Sequence, residues 1–153
     1  MKKIISIILL LYLSLFAEKT TFKTLKNEYI QIKNDNNVFN FVNLKYRNKD
    51  TLLFFFGSEC PVCSSEIDKI KELSHKIPII GIHAQADIGD SRLKTYVNKI
   101  GYTFDILSFS DDIKLINKMK EIGLWTGEVP LHILVDKQGN LKVITLTELL
   151  SRF

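Results

Sequence analysis

The stretch from Thr51 to Cys63 reads TLLFFFGSECPVC and joins two patterns. Thr51–Phe56 is an unbroken apolar run between Asp50 and Gly57, which is how a strand buried on both faces reads. From Pro61 onward Val62, Ile67, Ile70 and Leu73 recur at mixed three- and four-residue spacing among charges, so residues 61–75 are predicted to form an amphipathic helix. The junction places Cys60 at the helix start. Unpaired backbone N–H groups carry partial positive charge there, and they pull a thiolate below the free value of ~8.5. Pro61 suits the first turn, where its fixed φ fits and its missing N–H has no partner to lose. Cys60 is therefore expected to be the exposed nucleophile. Cys63, one turn in on the same side, can attack a mixed disulfide formed on Cys60.

These are the only two cysteines of the chain. A bridge across two intervening residues closes almost no loop and staples little, so the pair is there for chemistry or for a ligand. Zinc wants four ligands, and His75, His83 and His132 stand at no paired spacing, so no metal and no other cofactor is expected. Downstream, the alternation of strand and helix continues. Pro78–His83 reads as a second buried strand, Asp90–Ile100 as a helix stopped by Gly101, and Phe104–Leu107 as a short strand. A helix over Asp111–Ile122 is closed by Gly123, and strands Leu131–Val135 and Leu141–Leu146 flank the turn DKQGN. A last helix, Thr147–Phe153, is predicted with Thr147 as its cap. Upstream, Phe22–Arg47 is polar and Asn-rich and reads as a hairpin turning at Asn34–Asn37. The order describes an α/β fold, a mixed central sheet with helices on both faces and an N-terminal β-hairpin extension.

Met1, Lys2 and Lys3 precede an apolar run, Ile4–Phe16, that ends at Ala17. That is the pattern of a secretory signal peptide, and the run is short of the ~20 residues of a spanning helix. Residues 1–17 are read as the signal, 18–50 as an extension, and 51–153 as the core. Export to the periplasm or beyond follows, or membrane anchorage if the signal is not cleaved. The 153 residues allow one domain, and a hydrophobic content of 46% excludes a disordered chain. Net charge is +4 with the lysines scattered. Without an arginine-rich stretch or aromatics interleaved with a basic run, no nucleic-acid partner is expected.

From Thr51 to Asn140 the chain resembles the thioredoxin superfamily, most closely the exported TlpA/ResA-like thiol:disulfide oxidoreductases, in LLFFFGSECPVC, GLWTGEVP and LHILVDKQGNL. The resemblance implies a thioredoxin fold and a monomer acting on protein thiols and disulfides. Cys60 would be the attacking thiol and Cys63 the resolving one, with Pro130 cis beside them and Val129 offering its backbone to an extended substrate. It favours a reducing role, with electrons from a membrane thiol carrier and apocytochrome c as one client. An oxidase or isomerase of the DsbA kind stays open, as does a copper chaperone on the same fold. A peroxidase of the peroxiredoxin type would need Thr-x-x-Cys, and Gly57 stands at that threonine's place. Two departures matter. Glu59 replaces the family's usual Trp, and Phe54 falls where thioredoxin has a buried aspartate. Glu59 is accordingly a candidate proton-transfer helper. Trp125 is expected to pack in its loop, and His132 to play no catalytic part.

Overall fold

The computed structural model describes residues 18–85 and 88–153, so the signal read in residues 1–17 lies outside the described residues. The chain enters through an antiparallel sheet of β1 (Glu18–Lys23), β2 (Tyr29–Asp35) and β3 (Val38–Phe41). Alternation buries Ile30, Ile32, Phe39 and Phe41. Asn36 and Asn37 turn the hairpin with φ of 48° and 65°, the left-handed conformation that a two-residue turn between twisted strands requires. The expected hairpin is β2–β3, and β1 adds a third strand to it. The added strand, EKTTFK, has Phe22 as its one large apolar residue, and its pairing with β2 from Glu18↔Asn34 to Lys23↔Tyr29 holds it in place.

The central sheet runs β6-β5-β4-β7-β8, built from β4 (Thr51–Phe56), β5 (Ile79–His83), β6 (Asp105–Ile106), β7 (Leu131–Val135) and β8 (Leu141–Val143). β4 pairs in parallel with β5 and antiparallel with β7, so the sheet is mixed. Leu52, Phe54 and Phe56 face α1 (Pro61–Leu73), α2 (Gly89–Ile100) and α4 (Leu146–Arg152). Leu53 and Phe55 face α3 (Phe109–Glu121) together with the N-terminal sheet. Helices do cover both faces, but on the second face one helix shares the work with β1–β3.

Main-chain bonds lock the extension onto the core. Leu25 donates to Ile106 O at 2.9 Å, Ser108 to Lys23 O at 2.8 Å, and Phe39 to Gly139 O at 2.8 Å. At Gly139, φ is 85° and an added Cβ would strike Phe39 O, so only glycine fits. Buried Asp105 accepts from Tyr46 Oη and from Lys45 Nζ, fastening the segment after β3 to β6.

Most element ends shift by one to three residues, as where α3 starts at Phe109 rather than at Asp111. β8 ends at Val143, and α4 starts at Leu146 rather than at Thr147. Thr145 is the cap, because Thr145 and Glu148 form a reciprocal capping box that Thr147 has no glutamate to complete. Thr145→Ala should cost about 1 kcal/mol, read as a lower urea midpoint at constant slope. An unchanged midpoint would show that the box contributes nothing.

Candidate functional site

β4 leads into a buried Gly57, and α1 begins four residues later. Cys60 is the N-cap of that helix, with extended backbone (φ −103°, ψ 105°), and its Sγ accepts from Cys63 N at 3.0 Å. The two cysteines are joined as a disulfide with Cα atoms 5.2 Å apart. Cys60 is 6% exposed and Cys63 1%. The expectation of an exposed nucleophile is corrected in degree: Cys60 is the more accessible sulfur, yet it is mostly covered, because the loop before β7 lies over it. The Val129–Pro130 peptide is cis, and Val129 O lies 3.6 Å from Cys60 Sγ. Once the disulfide is reduced, that oxygen can accept from the Cys60 thiol.

The loop leading into Cys60 is held from β5. His83 lies beside Phe56 in the parallel ladder, and its Nε2 is 3.3 Å from Ser58 N and 3.2 Å from Ser58 Oγ. Burial pushes the His83 pKa down, which keeps a ring nitrogen free to accept. Just beyond, Gln85 Oε1 accepts from Glu59 N at 2.8 Å. The Gln85 side chain also fills the space that a Cβ at Gly57 would need. Two acceptors from one strand end therefore fix the two residues that precede Cys60.

Below the sulfurs the floor is aromatic. Phe54 is fully buried and stacks on His132, with centroids 5.4 Å apart and planes 14° from parallel. His132 Nε2 lies 3.1 Å from Glu66 Oε2, without the alignment of a hydrogen bond. Burial raises the Glu66 pKa, offset in part by Lys69, and burial lowers His132 to about 4. The imidazole is therefore neutral, and the contact is not an ion pair. Glu66 follows Cys63 by three residues, on the same face of α1. Together with Pro130 and His132 it lines an open groove of about 340 Å³ that starts one residue past Val129.

The sequence-predicted residues Cys60, Cys63, Val129 and Pro130 meet here. Glu59 meets them through its backbone, while its side chain is exposed. Trp125 packs on Phe55 at 5.5 Å, away from the sulfurs. Sequence reasoning missed Glu66, His83 and Gln85. Glu66 had a signal, an acid at helical spacing from Cys63. His83 had one too, since the end of a parallel neighbour lies level with the end of β4. No group of His, Cys, Asp and Glu able to hold a metal ion occurs among the described residues.

Charge is segregated around the site. Residues 50–68, 77–91 and 121–136 carry β4 with the start of α1, β5 with its following loop, and β7 with its preceding loop. They hold none of the 21 Lys and Arg of the chain.

Residues 22–144 match the AhpC/TSA family. No curated protein matches. Among solved structures, the chain is similar to a thiol-disulfide oxidoreductase from Bacteroides fragilis at 19% identity, covering 89% of this chain and 94% of that one with a TM-score of 0.63. It is also similar to a secreted Mycobacterium tuberculosis disulfide oxidoreductase homologous to E. coli DsbE, at 17% identity, 87% and 92% coverage and a TM-score of 0.60. The exposed lipoprotein thioredoxin of Streptococcus pneumoniae follows at 14% identity, 88% and 96% coverage and a TM-score of 0.61. A match over most of the chain, a shared mixed-sheet architecture and a cysteine pair closed at a helix start lead to one conclusion. The chain belongs to the AhpC/TSA family and is an oxidoreductase with the thioredoxin fold.

Proposed function

We propose that the chain reduces disulfides in exported proteins, cycling Cys60 and Cys63 between dithiol and disulfide. The observation that carries this reading is the Cys60 N-cap: helix donors stabilise its thiolate, and Cys63 N–H points at its sulfur from 3.0 Å. In the reductive direction the Cys60 thiolate attacks one sulfur of a client disulfide. A Cys60–client disulfide forms and the first client thiolate leaves. The Cys63 thiolate then attacks Cys60 Sγ, expelling the second client thiolate and closing Cys60–Cys63. Two electrons have passed to the client, and a donor dithiol must return them. The resemblance points to a membrane thiol carrier for that step and to apocytochrome c as one client. Cys63 must lose its proton to attack. Glu66, one turn along the same face, is better placed to receive it than the exposed Glu59.

The electrostatics support the reducing direction. A strong oxidant owes its potential to an unusually stabilised thiolate. Here the helix terminus acts without help, because the flanking segments carry no Lys or Arg and burial favours neutral His83 and His132. Exposed Glu59 and Glu128 stand beside Cys60 and Val129 in sequence and oppose the negative charge. Equilibration with glutathione should place the pair nearer to thioredoxin (about −270 mV) than to DsbA (about −120 mV). A potential near the second value would overturn the reducing role. A peroxidase reading is disfavoured, because Gln85 fills the space beside Gly57 where that activity requires a threonine.

Export is supported by the signal-like pattern of residues 1–17. Among the described residues no helix is long and apolar enough to cross a membrane.

A further inference from the structure

Several carboxylates of the molecule hold a cation among the described residues, and the two exposed ones that adjoin Cys60 and Val129 in sequence do not. Asp105 contacts Lys26 and Lys45, Asp111 contacts Lys114, Glu121 contacts Lys118, Asp50 contacts Arg152, and Glu148 contacts Lys142. Glu59 and Glu128 are exposed, adjoin the reacting sulfur and its neighbour Val129, and make no side-chain contact of this kind among the described residues. The three chain segments that meet at the disulfide carry acids and no Lys or Arg, although the chain as a whole is net positive at +4.

A second observation lies in the groove beside Pro130. Its walls include Pro130, Leu131, Ile144 and Leu146, with Glu66 at one side. His132 is 5% exposed and also lines the groove, and neither its Nε2 nor Glu66 Oε2 has a hydrogen-bond partner among the described residues. Cations at the edge of this groove include Lys69, one helical turn beyond Glu66 on α1, and Lys142, held by Glu148. An apolar wall ending in a carboxyl group fits the alkyl stem and charged head of a Lys or Arg side chain. A glutamate or phosphate there would meet the half-buried Glu66 carboxyl group.

We infer that the redox face docks a polypeptide that is basic around its reacting cysteine. The flanking chain of that client runs along the groove beside Pro130, with Lys or Arg side chains against Glu59, Glu66 and Glu128. The inference rests on the reductase reading and narrows its client class. Charges at such a rim act mainly on the encounter rate and fade with added salt.

The test uses the full chain and three synthetic peptides that share one internal disulfide and differ in flanking residues, which are Lys, Gln or Glu. At about 20 mM salt, kcat/KM should be about tenfold or more higher for the Lys peptide than for the Glu peptide, with Gln between them. At 0.5 M salt the ratio should fall to within about twofold. In the double variant Glu59→Lys, Glu128→Lys the order of the charged peptides, each relative to the Gln peptide, should invert. Equal kcat/KM for the Lys and Glu peptides while the Gln peptide is reduced would overturn the basic client and leave the reductase reading standing. Failure to reduce any of the three would overturn that reading, and the inference with it.

Discussion

Cys60→Ser protein is expected to reduce insulin no faster than dithiothreitol alone, whereas Cys63→Ser protein should accumulate as mixed disulfides with its clients. The asymmetry comes from the position of the two sulfurs. Cys60 stands at the N-cap, where the helix donors favour its thiolate, and it is the more exposed of the two at 6% against 1%. A serine hydroxyl at position 60 stays protonated near neutrality and cannot form the first mixed disulfide, so turnover should fall to background. With Cys63 replaced, the first exchange still occurs and the second cannot. The client then stays bound through Cys60 until an external thiol releases it. Non-reducing gels of the two purified variants, mixed with oxidised client, give the readout. Substantial insulin turnover in Cys60→Ser, or trapping by Cys60→Ser in place of Cys63→Ser, would reverse the assigned roles. Trapping in cells with Cys63→Ser would also identify the clients, and their charge bears directly on the acidic rim of Glu59 and Glu128.

The parts of this molecule that were legible in its sequence are those where local pattern and tertiary role agree. TLLFFF could only be a strand covered on both sides, and its six residues are all buried. The start of α1 was visible because Pro61 and the apolar spacing after it speak for the same helix. β1 was not visible, since its one large apolar residue gives no alternation and its order comes from its partner β2. Glu66 and His132 escaped for a related reason. Each looks like an ordinary residue on its own element, and only the packing of α1 against β7 brings them to 3.1 Å. His132 was expected to be inert because alternation turned it from Leu131. The same alternation puts it on the side of the sheet that carries the cysteines, stacked on Phe54. Glu59 illustrates the reverse case: a residue conspicuous beside Cys60 in sequence presents its backbone, not its carboxylate, to the site.

Asp112→Asn should stabilise the protein at pH 8 by on the order of 2 kcal/mol and lose that advantage as the pH falls towards 4. Asp112 lies in the first turn of α3, is fully buried, and has no well-aligned hydrogen bond on either oxygen among the described residues, the His83 N–H being its one neighbouring donor. Burial raises its pKa well above the ordinary carboxyl range, the main-chain N–H of His83 offsets a part of this, and Asp90 and Asp111 add to the rise. In the unfolded chain the group titrates near 3.9. Below that value both states hold the proton and the residue costs nothing. Above it the unfolded chain releases the proton and the folded chain keeps it, so stability declines until the pH passes the raised folded value. Asparagine cannot titrate, and the variant should lack this decline. Asp136 has the opposite sign: hydrogen bonds from Asn140, Gln138 and Gly139 outweigh its desolvation and depress its pKa, so its contribution is lost in acid. It is present in both proteins and cancels in their difference. Urea midpoints at pH 4, 6 and 8 therefore isolate Asp112. Parallel curves for the two proteins would show that its carboxyl finds a compensating donor in the folded state. A less stable variant at pH 8 would show that the carboxylate is favoured there.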